Sequence, residues 1–391
     1  MRIAMIDPSL FTIPYDRVLI DNLIEAGHSV KLYGRRVGAD DNDVTGIDLD
    51  ADFYRFASGG IVTRLPRPLR LGIKGIDHLV SMLRLRSKLR ATRPDLIHFQ
   101  WLPLPIVDRY MLAGLRRIAP LVLTVHDTNP FNGDPSVPLQ VRGFLHCLQD
   151  FDHLIVHTKQ GRDRILNLGL PPSQVSVLPF GLMEALPPAI DTGPTEGIVT
   201  FLLFGKLKPY KGIDVLLEAF GQLPEQQRRQ ARIRVVGKAY MPLEPLQMIA
   251  REHDIADSFV LEPRFVADNE VNRLFSSDVV AVFPYREIEA SAVLPFALAN
   301  GRPVIASAIG EFAERIENGV QGLLVPPGDA TSLSAAMSRM ITDRAFAAAC
   351  AAQARALAET SPDWQMIAGK TIDIYNLALS RAAARMTGAS S

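Results

Sequence analysis

Two stretches of this chain gather the residue types that hold phosphate and sugar. The first, FGKLKPYKG at 204–212, runs from an apolar segment into Gly205, Lys206, Lys208, Lys211 and Gly212. Glycines let backbone amides come close to an anion, a helix starting beyond them adds partial positive charge, and lysines supply point charges. The same lysines also suit an exposed strand-to-helix turn. The spacing is not that of a Walker loop. The second stretch, FPYREIEASAVLPFALANGRP at 283–303, sets Glu287 and Glu289 ahead of Ala290, Ser291 and Ala292 and an apolar helix ending at Asn300–Gly301. Small residues at a helix start expose amides to an anion, and carboxylates beside them can accept hydrogen bonds from sugar hydroxyls. Two loop glutamates equally describe a solvated surface. His126 is a third candidate, directly after the apolar run Leu121–Val125 and followed by Asp127, Asn129 and Pro130. His98 and His157 lie in comparable places and read as core or loop residues.

The elements that must position these residues alternate along the chain. Ile3–Ile6, Ser29–Tyr33, Asp95–Phe99, Leu121–Val125 and His153–His157 read as strands, with helices such as Arg17–Ala26, Pro105–Ile118 and Gln160–Leu168 between them. Short apolar strands separated by helix-length segments imply βαβ units and a parallel sheet covered on both faces. Pro187, Pro188, Gly193 and Pro194 then interrupt the pattern with a linker composition. A second alternation begins at Ile198–Phe204 and runs through Ile233–Val236, Ser258–Leu261, Val279–Phe283, Val304–Ala306 and Gly322–Val325. Two doubly wound domains are expected, with a ligand between them near the carboxyl ends of the strands. A last helix, Trp364–Leu379, follows Ser361–Pro362.

Composition narrows the class. The 391 residues carry 42 basic and 42 acidic side chains, and this neutral balance argues against a nucleic-acid binder. Cys147 and Cys350 are too far apart in sequence to suggest a zinc site or disulfide framework, which favours a reducing compartment. Met1–Ile6, stopped by Asp7 and Pro8, suits a first core strand better than an export signal. Apolar runs such as Ile198–Phe204 and Ala290–Ala299 fall short of the ~18–20 residues that span a bilayer. A cytoplasmic protein, free or lying at the inner face of the plasma membrane, is the expectation.

GKLKPYKGIDVLLEAF, NGRPVIASAIGEFAERIENGVQGLLVPPGD and the opening GHSVKLYG resemble glycosyltransferase family 4, retaining nucleotide-sugar transferases of the GT-B fold. The resemblance covers essentially the whole chain and is strongest at 204–220 and 283–329. It implies an α/β protein of two Rossmann-like, doubly wound parallel-sheet domains facing a central cleft. Residues 1–185 would form the acceptor-side domain, 186–197 the linker and 198–362 the nucleotide-sugar-binding domain, with a helix at 363–385 crossing back. The resemblance also implies no metal and no cofactor, the nucleotide sugar being the donor substrate. Gly205, Lys206 and Lys211 match the donor-diphosphate loop. The backbone of Ser291, Ala292 and Val293 matches the distal-phosphate loop. Arg264 and Phe265 match the nucleobase-facing segment, and His126, with Asp127 beside it, matches a histidine at the reacting sugar.

One departure stands out. Family members usually carry two glutamates seven residues apart, the first on the donor sugar and the second on the ribose. Counted back from Gly301, the second place holds Phe296 and the first falls on Ile288, between Glu287 and Glu289. Glu287 is favoured for the sugar role, with Glu289 as the alternative acid. The glycine-rich loop that often follows the first strand is replaced by PSLFTIPYD at 8–16.

Finally, Arg64–Arg93 holds nine basic residues and one acid, with Ile76, Leu79, Val80, Leu83 and Leu89 at mostly helical spacing. Such a helix either packs its apolar side on the sheet or binds an anionic membrane surface. These readings point to transfer of a sugar from a nucleotide diphosphate donor to a glycan or lipid-linked acceptor, in bacterial surface or exopolysaccharide synthesis. The alternatives are a catalytically silent GT-B protein that binds nucleotide sugar or a partner, and a sugar-nucleotide epimerase.

Overall fold

The computed structural model describes residues 1–38, 41–57, 65–128, 138–181, 197–275 and 278–388. Most of the linker stretch at 186–197 therefore lies outside the described residues. The chain divides into two compact units, Met1–Pro179 with Asp363–Ser391, and Phe180–Pro362.

The first unit starts with β1 (Arg2–Ile6), α1 (Ile13–Glu25), β2 (Ser29–Arg35), β3 (Leu49–Phe53), α2 (Arg67–Thr92) and β4 (Leu96–Phe99). It continues with α3 (Pro105–Arg116), β5 (Leu121–Val125), α4 (Pro138–Cys147), β6 (His153–Val156), α5 (Lys159–Leu166) and β7 (Val175–Val177). Its seven strands are all parallel, in the order β3-β2-β1-β4-β5-β6-β7. The central strands β4, β5 and β6 are buried at every residue, as apolar runs covered by helices on both faces must be.

The second unit holds β8 (Val199–Phe204), α6 (Ile213–Gly221), α7 (Glu225–Arg228), β9 (Ala231–Val236), α8 (Glu244–Glu252), β10 (Phe259–Glu262) and α9 (Asp268–Leu274). There follow β11 (Val279–Phe283), α10 (Leu294–Ala299), β12 (Val304–Ser307), α11 (Gly310–Arg315), β13 (Gly322–Val325), α12 (Ala330–Thr342) and α13 (Arg344–Glu359). The six strands are again parallel, ordered β10-β9-β8-β11-β12-β13. Both sheets are thus doubly wound, and each reverses its strand order at one place, between β1 and β4 and between β8 and β11. Crevices at such reversals are where open α/β sheets bind ligands.

The last helix, α14 (Trp364–Gly388), belongs to the first unit. Tyr375 bonds His98 Nδ1 at 2.7 Å deep in the core, and Arg381 donates to the Asp152 carbonyl at 2.9 Å. Asp152 is buried and also accepts from Arg116 at 2.7 Å, from the Leu121 amide at 2.9 Å and from Arg385. No helix among the described residues is long and apolar enough to cross a membrane.

Two strands escape the sequence reading. β3 is an edge strand of sequence LDADF with little apolar signal, and β7 is three residues long. The helix α2 also differs from expectation. It turns Asp77, His78, Ser81, Met82, Leu85 and Leu89 inward, while Ile76, Leu79 and Leu83 are exposed.

Candidate active site

In the second unit the loops after β8 and β11 meet at the strand-order reversal. Gly205 and Gly212 have φ of +118° and +65°, the left-handed region that glycine enters without strain. A Cβ on Gly212 would lie 2.0 Å from the Pro284 carbonyl oxygen, so this close approach of the two loops requires glycine. The Arg286 amide donates to the Tyr210 carbonyl at 2.8 Å, and its guanidinium forms a two-pronged bond to Asp214 at 2.8 and 2.6 Å. Both loops are therefore pinned to each other and to α6.

Lys211 is the buried cation of this junction. Its Nζ donates to the Tyr285 hydroxyl and lies 4.2 Å from that ring's centroid. A Cβ on Gly205 would come to 3.3 Å from Nζ, so glycine there leaves space beside the ammonium. Burial, with Lys208 and Lys206 nearby, pushes the Lys211 pKa down to about 7. Lys206 is exposed and Lys208 half-buried. The sequence reading singled out Lys206 and Lys211 but not Tyr285, the group that supports the latter.

Across the junction, the Ser291 amide donates to Glu311 Oε2 at 2.7 Å, and the Glu311 amide donates back to the Glu289 carbonyl at 2.8 Å. Arg315 pairs with the other carboxylate oxygen of Glu311 at 2.8 Å. The Val293 amide donates to Ser291 Oγ at 3.3 Å, and Ala292 is exposed. Glu287 is half-buried whereas Glu289 is buried. Phe296 lies on α10, half-buried against the apolar core of the unit. Beyond β10, Arg264 pairs with Glu262 at 3.3 Å and Glu270 at 2.9 Å, and Phe265 is 37% exposed.

In the first unit, the loop that replaces a glycine-rich turn after β1 is organised by Asp7. Its buried carboxylate accepts from the Ser9 amide at 3.2 Å, the Thr12 amide at 2.9 Å and the Thr12 hydroxyl at 3.1 Å. That hydroxyl also lies 2.9 Å from the buried Asp16 carboxyl. Burial and the charge of Asp7 push the Asp16 carboxyl well above the usual carboxylate range.

His126 follows β5, with Asp127 half-buried beside it. Its Nδ1 is 3.0 Å from His157 Nε2 and its Nε2 is 3.1 Å from the Gln100 carboxamide. Tyr15 sets its ring edge-on to both imidazoles, at centroid distances of 4.9 and 5.4 Å. Burial and the neighbouring His157 and His98 push the His126 pKa well below its usual value. His98 matches its core reading: it is buried between Tyr375 and Thr124, with its pKa pushed down to about 3. His157 is equally buried, but it holds His126, and neither it nor Gln100 was foreseen as part of the site. The signal was faint: three neighbouring strands each end on a polar residue, in HFQ, TVHD and IVHT.

Comparisons with known proteins agree with this architecture. Residues 17–182 match the model of Glycosyltransferase Family 4, and residues 199–343 that of Glycosyl transferases group 1. D-inositol 3-phosphate glycosyltransferase of Mycobacterium sp. (strain KMS) is 29% identical over 239 residues, 56% of this chain and 53% of the relative. The chain thus spans about half the length of that curated relative. Among solved structures, sucrose-phosphate synthase of Thermosynechococcus elongatus is 20% identical with a TM-score of 0.75, covering 100% of both chains. Anabaena HepE in complex with UDP and glucose is 19% identical with a TM-score of 0.72, covering 95% of this chain and 98% of that one. With one of the two models on each unit and this fold likeness, the chain belongs to glycosyltransferase family 4 and has the GT-B fold.

Proposed function

We propose that the chain transfers a sugar, with retention and without a metal, from a nucleotide diphosphate donor to a glycan or lipid-linked acceptor. The setting is bacterial surface or exopolysaccharide synthesis. The observation that carries this reading is Lys211, a buried lysine beside Gly205 at the strand-order reversal of the second unit. A buried lysine whose ammonium rests on a neutral tyrosine hydroxyl suits an anionic ligand, and the donor diphosphate is that anion. Lys206 adds charge from the exposed side of the same loop, and the Ser291–Val293 segment faces the distal phosphate. Since the Ser291 amide is held by Glu311, its hydroxyl and the Ala292 amide are the groups assigned to the phosphate. Glu287 takes the donor sugar, Arg264 and Phe265 face the nucleobase, and His126 meets the reacting sugar. Lysines that stabilise charge developing on the leaving diphosphate lower the barrier directly. The lysines grip the leaving group, which can itself accept the acceptor's proton, so His126 is not required as a base.

HepE, solved with UDP and glucose, supports a nucleotide-sugar donor by fold likeness. A thermal-shift screen with UDP, GDP, ADP and their sugars tests the reading, followed by transfer assays with and without EDTA. Stabilisation by one nucleotide series, EDTA-insensitive transfer and its loss in Lys211→Ala are expected. Donor binding without transfer to any acceptor would favour the silent binding protein, and conversion of the donor alone would favour the epimerase.

A cytoplasmic location at the inner face of the plasma membrane has its own support. On α2, Leu69, Ile76, Leu79 and Leu83 are exposed on the side opposite the core, Ile76 by 68%. Arg90 is exposed beside this stripe, while Arg84 and Arg86 border it half-buried, Arg84 turned toward Asp52 at 3.9 Å and Arg86 packed over Gly114. Not every base is available: Lys88 is paired with Asp50 and Asp52 at 2.6 and 2.8 Å. An apolar stripe bordered by arginines suits an anionic lipid surface, with about 1 kcal/mol per well-placed base. Co-sedimentation with anionic liposomes should fall in Ile76→Glu/Leu83→Glu, a change outside the core; unchanged binding would retire the idea.

A further inference from the structure

The strands β4, β5, β6 and β7 lie side by side, and the residues at their carboxyl ends form one row of hydrogen bonds. Gln100 follows β4, His126 follows β5, His157 follows β6 and Leu178 follows β7. The contacts along the row are 3.1 Å from Gln100 to His126, 3.0 Å from His126 to His157 and 2.8 Å from His157 Nδ1 to the Leu178 carbonyl. We infer that His157 and Gln100 are positioning residues that order the protons of this row and leave His126 Nε2 as a hydrogen-bond acceptor for a sugar hydroxyl. The inference rests on the proposal that His126 meets the donor sugar.

The order follows from one end. A carbonyl oxygen can only accept, so His157 carries its proton on Nδ1. The ring is buried and its pKa is pushed down to about 4, so it is neutral at pH 7 and its Nε2 is bare. The 3.0 Å contact then requires His126 to donate from Nδ1. His126, also held neutral by burial and by its histidine neighbours, has its bare nitrogen at Nε2. That nitrogen needs a donor from Gln100. With Oε1 turned towards it, Gln100 would set acceptor against acceptor at 3.1 Å and leave its own buried Nε2 with no partner. Turning the carboxamide over, so that Nε2 donates to His126, removes both faults. The edge of Tyr15 keeps the two imidazoles in place.

The chemistry of His126 is thereby fixed. The ring has no spare N–H at neutral pH, so it is neither a proton donor nor an anion ligand. A sugar hydroxyl can replace the Gln100 amide by donating to Nε2, whereas a deoxy sugar offers no such exchange.

Nitrogen-15 NMR of the full chain with labelled histidines, in the absence of any donor, tests the order directly. At pH 7, His126 should be protonated at Nδ1 and bare at Nε2; an Nε2–H tautomer or an imidazolium would overturn the inference. Gln100→Glu should bring a second proton to His126, visible in the same spectra, and an unchanged neutral ring would count against the assignment. His157→Leu should remove the single tautomer and lower kcat/KM about 2–13-fold, the effect of one lost hydrogen bond. His157→Gln can still donate to Leu178 and accept from His126, so it should restore both the tautomer and most of the activity. Equal loss in the two variants would mean a merely structural role. Because the spectra need no donor, absence of transfer with the expected tautomer would refute the proposed function and leave the proton order standing.

Discussion

A lysine that is nearly half neutral at pH 7 must take up a proton when an anion binds beside it. Lys211 has its pKa pushed down to about 7, chiefly by burial. A dianionic diphosphate at its Nζ would restore the value towards the ordinary ~10.4. At pH 8 about nine-tenths of the free protein would then have Lys211 neutral, so binding UDP or GDP takes up about 0.9 proton, about 0.5 at pH 7 and almost none near pH 5.5. Isothermal titration calorimetry in two buffers of different ionisation enthalpy reads this number from the slope. The same group acts on stability. The unfolded chain holds the proton between about pH 7 and 10 while the folded chain has released it, so folding stability rises with pH across that window. The depressed pKa is a penalty on folding that is present in full below pH 7 and relieved above pH 10. Lys211→Met should abolish both the proton uptake and this part of the pH dependence. Uptake of the same size in that variant would place the titrating group elsewhere and refute the assignment.

Three further outcomes follow from the same contacts. Gly212→Val forces a Cβ towards the Pro284 carbonyl oxygen at a φ of +65°, and urea denaturation should show a loss of at least ~2 kcal/mol; wild-type stability would mean the loops are not pinned there. Asp152→Ala strips a buried carboxylate from Arg116, Arg385 and the Leu121 amide, and should cost about 3–5 kcal/mol with faster hydrogen exchange in α14; protection of 364–388 at the wild-type level would contradict it. Asp16→Asn should stabilise the protein at pH 7, because burial and the charge of Asp7 raise the pKa of the folded carboxyl well above its unfolded value; the gain should vanish as pH falls below about 4, and a loss at pH 7 would contradict it.

The sequence carried the fold wherever burial leaves a compositional trace. β5 and β11 coincide with apolar runs read from the chain, because strands covered on both faces must be continuously apolar. β3 left no such trace, since an edge strand keeps Asp50 and Asp52 to pair with Lys88. On α2 the periodicity was visible but its direction was not. Ile76, Leu79 and Leu83 face outward, while the core side combines Met82, Leu85 and Leu89 with Asp77, which holds the Phe56 and Ala57 amides at 2.8 Å, and His78, bonded to Asp108 at 2.6 Å. A periodic pattern cannot announce that polar groups will be satisfied by partners tens of residues away. The lysines of the 204–212 loop were legible because their chemistry is local, whereas Gln100 and His157 acquire a role only through the pairing of β4, β5 and β6.

The candidate groups are already satisfied before any ligand arrives. Lys211 rests on Tyr285, the Ser291 hydroxyl on the Val293 amide and His126 Nε2 on Gln100 in the proton order inferred above. Binding therefore exchanges one partner for another, and each exchange contributes only about 1 kcal/mol, well below the value of a bond made in vacuum. Affinity under this scheme is modest, but the penalty for a wrong ligand is large. A group that displaces an internal partner without replacing its hydrogen bond leaves a buried donor or acceptor unmet, at about 1–3 kcal/mol each. At Lys211 only an acceptor avoids that cost, and at His126 only a hydroxyl donor does. Discrimination between donors then depends on the placement of charge and hydroxyls more than on the area they bury.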